Sequence, residues 1–183
     1  MLVDACNGLN ELIHLAMLWT VHQCWPAGAR FVFNCYINWA QLLLRQTGDA
    51  PVIILSQEGV TQGDPLFLVL YGTTLVPLAE ERRDTDPTVL SPLYTNDAVF
   101  DESAMRSAAQ LRLLMDRGPD QGYFYNPAPS LLISDNPEEK EAAVREFDME
   151  SLNLNYTDVR RYLGAYLGHG EKLEEWVQPK VEA

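Results

Sequence analysis

Two aspartates in this chain stand where carboxylates could do chemistry. Asp4 closes the short apolar run Leu2-Val3, and Asp97 sits inside Leu93–Phe100. A hard divalent cation takes oxygen ligands, so carboxylates that converge from neighbouring strands could hold one. A pair of such ions, ~3.5–4 Å apart, can stabilise both the attacking and the leaving oxygen of a displacement. The same residue types have ordinary uses: Asp4 as a helix N-cap and Asp97 as a turn residue. Spacing alone leaves both readings open. The geometry needed for chemistry is specific: the strand ending at Asp4 must lie beside the strand of Asp97, with both carboxylates facing one cleft.

A second candidate is the stretch Gly59-Val60-Thr61-Gln62-Gly63-Asp64-Pro65-Leu66. Val52-Ile53-Ile54-Leu55 before it is β-branched and apolar, and reads as a strand. Asp64 suits an N-cap and Pro65 a first helical position. Leu66, Val69, Leu70 and Thr74 then recur at helical spacing. Gly59 and Gly63 allow a sharp turn and the close approach of a ligand.

These segments, with three others, resemble the palm of reverse transcriptases of the non-LTR retrotransposon type. Leu2–Asn10 resembles the first catalytic segment, Gln62-Gly63-Asp64-Pro65-Leu66 the Gln-Gly-x-Pro-Leu motif, and Tyr94-Thr95-Asn96-Asp97 the Tyr-Ala-Asp-Asp hairpin. Gly122-Tyr123-Phe124 with Pro127–Leu131, and Arg161–Gly168, resemble the two later palm segments. The five follow the family's order over nearly the whole chain.

The resemblance implies an α+β fold, the ferredoxin-like split βαβ palm, in one domain over residues 1–183 that lacks most of the fingers and thumb. It implies RNA-directed DNA synthesis with magnesium, an RNA template and a DNA primer. Asp4 and Asp97 would be the metal carboxylates and Asn96 a weak substitute ligand. Gln62 and Gly63 would line the template–nucleotide side, Tyr94 would pack beside the primer end, and Leu163 and Gly164 would form the primer-grip turn. Three departures fall on the chemistry. Asn96 replaces the first hairpin aspartate and brings no charge. Pro129 stands where the family has a lysine that protonates the departing pyrophosphate. Phe67-Leu68 replaces a small polar residue. The expectation is therefore a palm with little or no activity. The competing expectation is a non-catalytic interaction module that keeps the fold.

Composition bounds these readings. The chain has 183 residues, 47% of them hydrophobic, enough for one domain with a real core. Its 26 acidic and 13 basic residues give a formal charge of −13, which disfavours nucleic-acid binding by this segment alone. No apolar run reaches membrane-spanning length, and the first residues, broken by Asp4 and Asn7 and without a basic stretch, are not expected to act as a secretory signal. Three widely spaced cysteines, Cys6, Cys24 and Cys35, read as half-buried thiols of an intracellular protein, nuclear or cytoplasmic. His14 and His22 could share a helix face but have no third ligand, so a zinc site is not expected.

The elements that must position the candidates follow from periodicity. Helices are expected over Leu9 to about Pro26, Ala29 to Gln46, and Pro65 to about Arg83, the last broken at Pro77. A further helix would bury Met105, Ala108, Leu111 and Met115, and a polar one would start at Asn136. Strands are expected at Leu131–Ile133, Asn153–Tyr156 and Arg161–Leu167.

Overall fold

The computed structural model describes residues 1–45, 50–61, 63–88, 92–94, 97–134, 136–147, 155–158, 160–162, 165–167 and 171–181. Its centre is a five-stranded sheet in the order β4-β5-β1-β6-β7. The strands are β1 (Leu2–Ala5), β4 (Leu93–Tyr94), β5 (Asp97–Val99), β6 (Tyr125–Ile133) and β7 (Asn155–Thr157). β1 runs antiparallel to both neighbours, and β6 and β7 run parallel. The sheet is therefore mixed, and with its helices it makes an α+β fold.

The sequence explains why β1 is central. Leu2, Val3 and Ala5 are all buried, as a strand covered on both faces requires. Its neighbour β6 is less regular. Leu2 faces Leu131 but Asp4 faces Asn126, so β6 bulges between these pairs. Pro127 and Pro129 fall in that interval. Proline has no N–H for a sheet ladder, so a bulge is where a strand tolerates it. The Asp4 N–H donates instead to the Ser130 hydroxyl at 3.0 Å.

Helices α1 (Gly8–Glu11), α2 (His14–Cys24) and α3 (Pro26–Tyr36) follow β1. Next come the ribbon β2 (Ala40–Leu44) and β3 (Val52–Ser56), and helices α4 (Phe67–Thr74) and α5 (Val76–Thr85). α6 (Ala104–Arg117), α7 (Pro137–Glu146), the hairpin β8 (Arg160–Tyr162) and β9 (Ala165–Leu167), and α8 (Glu171–Val181) complete the described elements. The core joins Val3 and Ala5 to Leu12, Met17 and Val21 of the α1–α2 region, Leu70 and Tyr71 of α4, and Leu111 and Leu114 of α6.

Pro77 separates α4 from α5, as expected, by occupying the first turn of α5. Asn136 caps α7, its side chain accepting from the Glu138 N–H at 2.9 Å. Three expectations are corrected. The helix expected to run to Gln46 ends at Tyr36, and Ala40–Leu44 pairs with Val52–Ser56 as a hairpin. α6 buries Ala104, Ser107, Ala108, Gln110, Leu111 and Leu114, while Met105 and Met115 are exposed. The buried stripe is rotated by about one residue, because small Ala and Ser side chains allow close approach where methionine would not. The three cysteines are exposed, not half-buried. Among the described residues no helix is long and apolar enough to cross a membrane.

Candidate functional site

β1 and β5 pair in a register that sets Leu2, Val3 and Asp4 opposite Val99, Ala98 and Asp97. Side chains alternate across a sheet, so Val3 and Ala98 share the buried face and Asp4 and Asp97 share the other. Val3 and Ala98 are almost wholly buried, whereas both aspartates keep partial access to solvent. Two like charges thus stand directly opposite on the central strands, an arrangement that destabilises a sheet when both are ionised.

The electrostatics carry the mark of that crowding. Desolvation, then a hydrogen bond and repulsion from Asp4, push the Asp97 carboxyl up from the usual 3.8 to about 6. Asp4 is anchored from the other side: the Asn126 side-chain amide donates to its Oδ2 at 3.0 Å. The Ser130 hydroxyl that receives the Asp4 N–H itself donates to the Asn126 carbonyl at 2.6 Å. The bulge of β6 therefore sets two polar contacts on Asp4 and ties their partners to each other. Sequence reasoning missed Asn126 and Ser130. The strand was expected to begin only at Leu131, and only an asparagine beside prolines in a strand could have signalled a bulge.

The segment after Asp4 is gripped from two sides. The Gly59 and Val60 N–H groups donate to the Leu12 and Leu9 carbonyls at 2.8 and 2.7 Å. At Gly59, with φ +85°, an added Cβ would lie 2.6 Å from Asn10 backbone; at Gly122, with φ +84°, it would lie 2.0 Å from the Glu11 carbonyl oxygen. Gly59 thus admits the chain's own backbone, not the ligand expected there. Gly63 differs: its φ is +97°, and an added Cβ would meet nothing within 4 Å. The positive φ calls for glycine, and the space beside it is open.

Asp64 does not cap the helix as expected: the N-cap of α4 is Leu66, with no side-chain cap bond, and Asp64 closes the turn that precedes it. Its Oδ1 accepts from the Leu66 N–H at 2.8 Å, and its Oδ2 accepts from the Tyr36 hydroxyl at 2.9 Å. Burial and then Asp64 itself push the Tyr36 hydroxyl up to about 12, so it stays a donor. The His14 ring meets Tyr36 edge-on at 5.3 Å and bonds the Gly59 carbonyl at 2.7 Å through Nε2. His14 thus ties the start of α2 to the Gly59 turn and to Tyr36.

Of the other expected site residues, Tyr94 lies in β4, where its backbone pairs with Asp97. Gln62, Asn96, Leu163 and Gly164 lie outside the described residues. Among the described residues no cluster of three or more His, Cys, Asp or Glu side chains is gathered for a metal ion. Two carboxylates with partial solvent access remain the donor set. Such a set suits a hard cation that brings its own waters or phosphate oxygens, and does not suit an all-protein cage.

No family model matches the chain, and no curated protein matches it.

Proposed function

We propose that this chain is a degenerate reverse-transcriptase palm, in which Asp4 and Asp97 form a weakened magnesium site for nucleotidyl transfer. The observation that supports this most is the cross-strand register of Asp4 with Asp97 on adjacent central strands. A sheet gains nothing in stability from like charges placed opposite each other. Their placement suits a function that needs two oxygen donors at one point. The strand order also fits a split βαβ palm, with the hairpin on one side of the first catalytic strand and the later strand on the other. Gly63 would give the template–nucleotide side its open approach.

A bound magnesium ion would supply Lewis-acid stabilisation of the transferring phosphate. The chain's own contribution is positional: Asn126 fixes the Asp4 carboxylate, and the α1–α2 grip by Gly59 and Gly122 fixes the end of β1. Asn96 adds no charge to offset the cation, and Pro129 has no proton for a leaving pyrophosphate. Template RNA and primer DNA would need basic surface from fingers and thumb, because a chain of charge −13 offers few phosphate contacts.

The test is nucleotide incorporation with magnesium in a chimaera that supplies fingers and thumb from a homologous enzyme. The unreverted palm should show no measurable primer extension. Asn96→Asp and Pro129→Lys should each help little, and the double reversion most, since loss of one proton-transfer group costs about 10²–10⁴-fold. Robust synthesis by the unreverted palm would overturn the inactive reading. A double reversion as inert as its parent would count against the polymerase descent.

A second reading is a non-catalytic interaction module, and one observation favours it. The β2–β3 ribbon carries Leu42, Leu43, Leu44, Val52, Ile53, Ile54 and Leu55, all about half exposed. So much apolar surface on a two-stranded ribbon suits contact with another protein surface. Magnesium with a nucleotide should stabilise the palm and leave a plain interaction module unchanged.

A further inference from the structure

The β2–β3 ribbon stands apart from the core. β2 and β3 pack extensively on each other and on no other described element. An isolated two-stranded hairpin is marginal in water and needs a surface to lie against. The register sets Leu42 opposite Ile54 and Leu44 opposite Val52 on one face, and Leu43 opposite Ile53 on the other. Both faces are therefore apolar, where a hairpin wetted on one side would alternate apolar with polar. These six side chains are 46–59% exposed. Neither strand carries the lysine, the proline or the inward charge that blunts an open edge.

Charge sets the ribbon apart as well. The chain has 26 acidic residues, yet from Leu12 to Gln57 its sequence holds one, Asp49. Within 37–45 and 50–57 the only charged side chain is Arg45. Two copies of a chain of formal charge −13 repel each other across most of their surfaces. The ribbon is where they can meet without opposing acids. A basic partner would be drawn to the acidic surface elsewhere, whereas an uncharged apolar patch matches another of its kind. A stable interface takes about 800 Å² from each partner. The six side chains, with the exposed Leu55, Ile37 and Trp39 near them in the chain, offer an apolar area of that order.

We infer that the ribbon is a self-association surface: a second copy of this chain covers it, ribbon against ribbon about a two-fold axis. This rests on the interaction reading above and names its partner. A two-fold interface uses the same patch on both copies, so assembly closes at two.

The test is sedimentation velocity of the full chain from sub-micromolar to tens of micromolar concentration. A dimer of twice 20.7 kDa is expected, and added sodium chloride should tighten it by screening the repulsion between copies. Leu43→Lys should raise the dissociation constant more than about tenfold, because a two-fold interface takes each substitution twice. Ile54→Thr, which keeps the β-branch and adds no charge, should weaken the dimer in the same direction. Both sites lie outside the buried core, so the monomers should keep the wild-type circular dichroism. Val144→Lys on α7 makes the same charge change at a 57% exposed side chain and should leave the dimer intact. A chain that stays monomeric overturns the proposal, as does a dimer that Val144→Lys weakens as much as Leu43→Lys. Dissociation by salt, or growth past the dimer, would also overturn it. A monomer that floats with neutral phosphatidylcholine vesicles would assign the ribbon to a lipid surface instead. The interaction reading fails on a separate result, stabilisation by magnesium with a nucleotide, which the association state does not decide.

Discussion

Removing Asp97's charge should make this protein more stable, which is the reverse of what most substitutions of partly buried residues do. The perturbation is Asp97→Asn. In the folded chain the Asp97 carboxyl is raised from 3.8 to about 6, first by desolvation and then by Asp4. Fully converted, that rise corresponds to at most about 3 kcal/mol against the charged form. The side chain is partly solvated and its field is screened, so about 1–2 kcal/mol is the working figure. An asparagine keeps the shape, removes the repulsion and can donate to Asp4. For a chain of this size the gain should appear as a rise in melting temperature of about 2–8 °C at pH 7 without divalent ions.

The sign with pH follows from the raised value. The folded state holds the Asp97 proton more tightly than the unfolded state. Its stabilising contribution is therefore complete below about 3.8 and is lost as pH rises through about 6. In EDTA the wild-type chain should lose its about 1–2 kcal/mol between pH 4 and 7, while Asp97→Asn should lack that loss. Magnesium should offset most of that difference at neutral pH. At a tenfold excess over Kd it stabilises the wild-type chain by ~1.4 kcal/mol and the variant by much less. Sodium chloride at matched ionic strength separates binding from screening. As a contrast, Asp4→Asn should not stabilise, because it gives up the charge-assisted bond from Asn126. The reasoning is refuted if Asp97→Asn melts at or below the wild-type temperature, or if magnesium stabilises both equally.

Two further outcomes follow from the turns around the site. Gly122→Ala should cost about 2–4 kcal/mol in urea unfolding, because the added Cβ would meet the Glu11 carbonyl in a left-handed conformation. Gly63→Ala, strained in conformation but open in space, should cost only about 1 kcal/mol; equal costs would show that the packing around residues 10–12 is looser than described. Asp64→Ala removes the turn bond to the Leu66 N–H and the acceptor for Tyr36, and should cost about 1–2 kcal/mol; a double-mutant cycle with Tyr36→Phe should show that part of the loss is shared.

The parts of the fold set by local chemistry were legible in the sequence. Pro77 had to interrupt a helix, Asn136-Pro137 had to start one, and Leu2-Val3 had to be a buried strand ending at Asp4. The errors fall where long-range pairing decides. Leu42-Leu43-Leu44 continues the apolar pattern of α3, so periodicity extended the helix through it. The chain instead pairs these residues with Val52–Ile54, whose β-branched side chains suit a ladder. In α6 the expected burial of Ala108 and Leu111 holds, yet the helix buries Ala104 and leaves Met105 and Met115 exposed. At the candidate site the two aspartates were legible from residue type and resemblance. Their partners were not: Asn126 and Ser130 reach Asp4 only because the bulge of β6 delivers them, and a bulge depends on a neighbouring strand.

The two aspartates are consequently unequal, and the inequality comes from the sheet. On one side β6 gives up regular pairing at a bulge with two prolines and holds Asp4 through a donor to its carboxylate, Asn126, and an acceptor for its N–H, Ser130. On the other side β5 keeps strict register and leaves Asp97 opposed by a like charge. Asp4 is the fixed carboxylate and Asp97 the responsive one, whose most favourable partner is a positive charge brought from outside. A site of this kind stores its destabilisation in one residue. The glycine turns that grip residues 9–12, together with the core under Val3, hold β1 in place against it. The register of β1 with β5 and β6 is set by Leu2, Val3, Ala98 and Leu131, which are buried and apolar.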